Sequence, residues 1–262
     1  MDILKNLLSC LIRKFIGSNI LGPLNFINLL NKRNFIFIKM KKLLFLLLLS
    51  HGIVAGAQEI TMDLENFSET EITNGLSVNF IQSKENKAVI TGNSREKVKI
   101  DVENGVLDIH TALNQIWVED NTLIIIYYKQ LEKVDARRNA KVELCGKITQ
   151  PLIWLRAQEG SDITAQLEVN NLIANITTGG NLKIFGKADI QEIEVMAAGK
   201  FKGENLVGNT IDVSINAGGM ANVNAKKYVN ANVNAGGNIY IYGNPEKVDK
   251  KTTFGGKIKK IN

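Results

Sequence analysis

Histidine and cysteine, the side chains that most often build a metal site or supply a nucleophile, are nearly absent from the body of this chain of 262 residues. His110 is the only histidine after residue 57, which removes His-clustered metal sites and leaves one candidate for a histidine-dependent triad. It ends the alternating run Leu107-Asp108-Ile109-His110 on the side opposite the apolar residues, where a surface histidine is the plain reading. The two cysteines are Cys10 and Cys145, so neither a disulfide framework nor a CxxC metal pair can form downstream of residue 57. Cys145 has no histidine near it in sequence and reads as structural rather than as a nucleophile.

Carboxylates are plentiful, and paired ones would suit glycosidic chemistry if they met from adjacent segments. The acids Asp162, Glu168, Asp189, Glu192, Glu194, Glu204 and Asp212 mostly occupy different positions of the repeat described below. Only Glu192 and Glu194 share an outward face, and a solvated strand face accounts for them. A lyase would need a base beside an acidic calcium cluster, and none assembles from the sequence. The Gly-Gly pairs have neither a GKS/GKT ending nor a following helix, so they are corners and not phosphate loops. Tyr240 and Tyr242, with Phe185 and Trp154, would make an aromatic strip suited to sugars if all were exposed together. No catalytic, cofactor-binding or metal-ligating residue is assigned, and no cofactor is expected.

What positions these residues is a β pattern throughout. From Ile60 to Val134 short alternating runs such as Leu76 to Ile81, Lys97 to Val102, Val106 to Ile109 and Leu123 to Tyr127 predict strands. Asn74-Gly75 and Asn104-Gly105 between them predict hairpins. The second half is a repeat: small residues recur at Ala140, Ser161, Gly180, Gly199, Gly219, Gly237 and Gly256, spaced 21, 19, 19, 20, 18 and 19. Asn139 to Gly146 aligns without gaps with Gly179 to Gly186 and Gly236 to Gly243, which puts Cys145 in the outward position of Phe185 and Tyr242. Residues two and four after the anchor are usually apolar, and so are those eight, six and four before it, with polar residues between. A period of ~19 with two short strands and a small corner fits one coil of a solenoid, too small to bury its own face and obliged to stack. The glycines supply φ > 0 or close stacking, and Ala197, Ala217 and Ala235, two before their anchors, suggest a tight interior at the same corner.

Ser214 to Gly219, Asn234 to Ile239, Tyr242-Gly243-Asn244-Pro245 and the closing Phe254 to Ile261 resemble the auto-transporter adhesin head family that carries the GIN domain. Asn74 to Val78 and Glu103 to Ile109 look like that family's amino-terminal strands, so the resemblance covers roughly residues 60 to 262. It implies a β-helix-like fold on an exported protein, with adhesion as the family's function, and supplies no catalytic or binding residue to carry over. The first corners, Arg138-Asn139-Ala140 and Glu159-Gly160-Ser161, depart from the small-Gly pattern.

The net charge of +6 divides unevenly: residues 1–57 carry eight Lys/Arg against Asp2, a net of +7, and residues 58–262 carry 24 Lys/Arg against 25 acids, a net of −1. A body with no basic excess excludes nucleic acid as the partner, and the basic tail Lys257, Lys259, Lys260 reads as a solvated segment. Met40-Lys41-Lys42, the apolar Leu43 to Leu49 and small residues to Ala57 form a secretory signal, too short to span a membrane. The expected organisation is therefore a mis-assigned upstream extension at 1–39 and a signal peptide at 40–57. An amino-terminal β segment at 58–134 and a repeat region at 135–262 then form one GIN domain. The expected fold is all-β, a parallel β-helix-like solenoid with ~19-residue coils preceded by that amino-terminal β segment. The function expected is an exported, non-enzymatic binding or structural module, adhesin-like, in the periplasm, on the outer surface or secreted, whose partner the sequence does not identify, a surface glycan or protein being the candidates. The alternatives are a carbohydrate-active lyase or hydrolase on a β-helix, or a periplasmic envelope scaffold.

Overall fold

The computed structural model describes residues 59–112 and 121–261, so the segments expected to be an upstream extension and a signal peptide lie outside the described residues. Period-two patterning decides the architecture. Val142 and Leu144, Ile163 and Ala165, Leu182 and Ile184, Ala221 and Val223, and Ile239 and Ile241 are each at most 3% exposed, while the residues between them face solvent. Their strands are β9 (Lys141–Ala157), β10 (Asp162–Ile176), β11 (Asn181–Met196), β12 (Lys200–Asn216), β13 (Met220–Ala235) and β14 (Asn238–Tyr242), each parallel to the next. Every long strand is one coil with two arms, and stacking in register closes one continuous core. The fold is all-β, a β-solenoid of about seven turns at ~19-residue spacing, as the repeat predicts.

The unequal spacings are bulges between the two arms. Ala165 pairs Leu144 but Gln166 pairs Lys147, so Cys145 and Gly146 are the two extra residues of the first, 21-residue interval. Lys183 pairs Lys202 but Phe185 pairs Asn205, which inserts one residue in β12. Cys145 consequently does not share a rung with Phe185, and its outward position is not an exposed one. It is 5% exposed, packed against Ile81 with Ile125 and Tyr127 in a small cluster separate from the main core.

The amino-terminal strands are β1 (Ile60–Asp63), β2 (Glu69–Ile72), β3 (Ser77–Gln82), β4 (Lys87–Thr91), β5 (Val98–Glu103), β6 (Val106–Thr111), β7 (Leu123–Tyr128) and β8 (Lys133–Ala136). β5 and β6 form the hairpin expected at Asn104-Gly105. Asn74-Gly75 makes no hairpin: β2 and β3 do not pair with each other, and the dipeptide is a solenoid corner with φ of 63° and 71°. The same left-handed backbone serves either geometry, so the dipeptide alone does not distinguish them. β2 pairs in parallel with both β6 and β8, and β3 with both β7 and β9. The stacking order is therefore not the chain order, since the β2–β3 turn is sandwiched between the later β6–β7 turn and the first repeat coil.

At the repeat corners the close approach belongs to the anchor glycine. A Cβ on Gly180 would lie 2.3 Å from the Ala157 carbonyl oxygen of the coil below. Ala197, Ala217 and Ala235 are exposed, contrary to the tight interior expected of them. Ala197 and Ala217 have φ of 46° and 61°, so they sit on the outside of a left-handed turn where a small side chain lowers strain. The last strands are β15 (Lys247–Phe254) and β16 (Lys257–Lys260), which continue the two arms by pairing with β13 and β14.

Candidate functional site

On the outward face of the second arm, Asp108 of β6, Glu71 of β2, Asp135 of β8 and Arg156 of β9 occupy one rung across four parallel strands. Strands lie ~4.8 Å apart, so three consecutive carboxylates would repel one another without compensation. Arg137 supplies it by donating from Nε and Nη2 to Asp135 Oδ2 at 3.1 and 2.6 Å and from Nη2 to Glu71 Oε1 at 3.2 Å. Asp135 is 1% exposed and also accepts from Gln158 Nε2 at 3.0 Å, with Arg156 Nη1 at 3.8 Å. The hydrogen bond from Arg137 to Asp135 is the first reason that its guanidinium holds its proton more firmly than usual. At the far end of the rung His110 Nδ1 lies 3.2 Å from Asp108 Oδ2.

This network borders a groove along the corner edge. One cleft of about 340 Å³ is lined by Thr73, Arg137, Arg138, Arg156, Gln158 and Glu159. It shares Thr73 and Arg138 with a second cleft of about 500 Å³ that carries Glu71, Asn74, Asp108 and His110. The sign of the charge changes along the groove, from three arginines with Glu159 to two carboxylates with His110 and Arg138. The groove sits where the corners depart from the small-Gly pattern: Arg138 and Glu159 adopt φ of 51° and Asn139 φ of 61°. Ser161, at the anchor position, donates from Oγ to the Ala136 carbonyl at 2.7 Å, whereas Gly180 one coil later has no room for a Cβ. The corner is thus wider beside the groove. Another cleft, near Pro151, has its Gln150 amide already committed to the carbonyls of Leu131 and Leu152 at 2.9 and 2.6 Å.

Of the residues weighed in the sequence, only His110 lies in the groove. Glu194 accepts from Asn175 Nδ2 at 3.3 Å, and Asp212 accepts from Asn230 at 3.1 Å, so these acids belong to a ladder of Asn–carboxylate rungs. Trp154 lies on the second arm, with Lys133 Nζ 4.8 Å from its ring centroid, while Phe185, Tyr240 and Tyr242 belong to the first arm. The four make no common strip. Among the described residues no set of three His, Cys, Asp or Glu side chains is arranged to hold a metal ion, and no helix is long and apolar enough to cross a membrane. Sequence reasoning passed over Glu71, Asp108, Asp135, Arg137 and Arg156. The odd corners at Arg138 and Glu159 were the one signal pointing to them.

Residues 66–245 match the family described as "Putative auto-transporter adhesin, head GIN domain". The chain belongs to this GIN-domain family. Its fold is shared by solved structures of low sequence identity. A "putative adhesin" from Bacteroides fragilis is 20% identical, with 80% of this chain and 100% of that chain covered and a TM-score of 0.69. A "putative adhesin" from Parabacteroides distasonis is 18% identical over 78% of this chain and 96% of that chain, TM-score 0.65. A "putative lipid binding protein" from the same species is 16% identical with the same coverage, TM-score 0.60. None of the curated proteins matches the sequence. The match to the GIN-domain family ends before β15, so the groove falls inside the shared region and the last coil outside it.

Proposed function

We propose that this GIN-domain protein is an exported binding module of the adhesin type that engages its ligand at the charged corner groove. The observation that carries this reading is the convergence of Arg137, Arg138, Arg156, Glu71, Asp108 and His110 on one lateral edge of a rigid β stack. Strands, which fix a side chain better than loops do, carry Glu71, Asp108, His110 and Arg156, while Arg137 and Arg138 project from the corner that follows β8. Export is supported by the signal-like segment from Met40 to Ala57. Amino-terminal sequencing of the exported protein tests it, and a mature start before Met40 overturns both the cleavage site and the start at Met40.

The same convergence favours a second reading, a carbohydrate-active enzyme. A glycosidase needs one carboxyl group to give up a proton and another to act as base or nucleophile. Here Glu71 and Asp135 are both held by Arg137 and Asp108 faces His110, an arrangement that suits holding a ligand better than proton transfer. A glycan and matrix-protein array probed with the protein and with an Arg138→Glu, Arg156→Glu variant separates the readings. Retained ligand lost in the variant is expected. Release of new reducing or unsaturated ends from a bound glycan would make the groove an active site instead.

A further inference from the structure

We propose that the smaller cleft is a subsite for the carboxylate of an acidic sugar, and that Glu71 and Asp108 in the adjoining cleft accept hydrogen bonds from the hydroxyls of the same chain of sugars. The proposal rests on the reading of the groove as a ligand site and names what that site takes.

Two of the three arginines in the small cleft have donors to spare. Arg137 is committed to Asp135 and Glu71. Arg156 and Arg138 lie 3.8 Å from Asp135 and 3.6 Å from Glu159, contacts longer than hydrogen bonds, with side chains 40% and 68% exposed. A guanidinium presents a planar fork that matches a carboxylate, a match a point charge does not reproduce. Beside these forks stand Thr73 and Gln158, neutral groups able to exchange hydrogen bonds with hydroxyls or a ring oxygen.

The other half of the groove argues against a simple polyanion. Glu71 and Asp108 line the larger cleft, where a second anionic group would be repelled. Ionised carboxylates are acceptors only, and sugar hydroxyls are the donors that fit them. A ligand with one carboxylate followed by several hydroxyls satisfies both halves, whereas an acidic peptide brings a negative charge to both. Volumes of about 340 and 500 Å³ each fall within the range of small-ligand pockets, ~300–1,000 Å³.

The test is titration calorimetry of the protein with a trisaccharide of one galacturonate and two galactoses, its methyl ester, neutral trigalactose, poly-glutamate and acetate. Saturable binding of this mono-uronate trisaccharide is expected, weakened about tenfold by esterification, by Arg138→Ala and by Arg156→Lys, as for loss of a charge-assisted hydrogen bond. Asp108→Asn is expected to weaken it less, and the unfolding midpoints of all three variants serve as the check that the groove is intact. Equal binding of the ester, of trigalactose or of poly-glutamate overturns the acidic-sugar assignment, as does acetate competing at the same concentration. If the mono-uronate trisaccharide fails to bind but another array ligand is lost on Arg156→Lys, the assignment falls and the groove stands. An array ligand that ignores Arg138 and Arg156 overturns the groove reading as well.

Discussion

Arg137 and Asp135 meet through one oxygen, Oδ2, which accepts from both Nε and Nη2 of the guanidinium although the carboxylate is almost wholly buried. The other oxygen is left for Gln158. Removing one partner of a buried pair leaves an uncompensated charge, at ~3–5 kcal/mol. Arg156 and Gln158 stay beside Asp135 and Arg137 is partly exposed, so Arg137→Ala is expected to cost about 2–3 kcal/mol. Arg138→Ala breaks only an exposed pair and is expected to cost under ~0.5 kcal/mol. Urea unfolding of the two variants checks the contrast, and equal losses would mean that Asp135 does not depend on Arg137.

The neighbouring glycines Gly179 and Gly180 are needed for different reasons. Gly179 has φ of 75° with nothing within 4 Å of an added Cβ, so Gly179→Ala brings only left-handed strain of ~1–2 kcal/mol. Gly180 lacks that conformation, but an added Cβ would press on the Ala157 carbonyl at 2.3 Å. The nearest atoms, of Ala157 and Gln158, are all backbone and leave no flexible side chain to yield, so Gly180→Ala is expected to cost upwards of ~3 kcal/mol. Thermal unfolding of both variants decides. A milder effect at Gly180 would mean that the coils can part locally.

Tyr128, packed on Phe80 with ring centroids 6.2 Å apart, has its phenol pushed up from 10.0 to about 12 by burial. Between those values the folded chain keeps a proton that the unfolded chain has lost, so stability falls as pH rises from 10 to 12. The shift corresponds to about 3 kcal/mol, fully present below pH 10. Unfolding free energies measured across that window are expected to decline for the native protein and less steeply for Tyr128→Phe. Phenolate absorbance should show Tyr128 ionising only as the fold is lost, and ionisation before unfolding would contradict its burial.

The repeat half was legible because a period of ~19 and an alternation of two leave one way to bury Leu182, Val213 and Val233 together. The amino-terminal half was not, because its turns stack out of chain order. Glu71 meets Asp108 and Asp135 through parallel ladders that no local pattern encodes. The groove was hidden for the same reason: its rung draws on four strands, and their register emerges only once β2 is known to lie between β6 and β8. Cys145 was misplaced by the gapless alignment, which cannot see that Cys145 and Gly146 form a bulge.

The last coil breaks the inward pattern at three rungs, one of them Thr252 in the register of buried Val233. Lys250 takes the register of Ala231 and Lys260 that of Ile241, positions buried in the preceding coil, yet both lysines are exposed. Residues 246–261 hold six lysines against Glu246 and Asp249, a net of +4, while residues 58–245 hold 18 Lys/Arg against 23 acids, a net of −5. β15 and β16 each pair on one side only among the described residues, and an apolar edge of that kind invites a strand from another copy. Lysines at the inward positions make that pairing costly, since two such edges would bring like charges together and desolvate them. Lys250→Val with Lys260→Ile extends the apolar stripe of the core to the open edge at the two charged rungs. The double variant is expected to self-associate in sedimentation velocity at concentrations where the native protein does not, with its far-UV spectrum unchanged. If it stays as dispersed as the native protein, the lysines are not what keeps this edge apart.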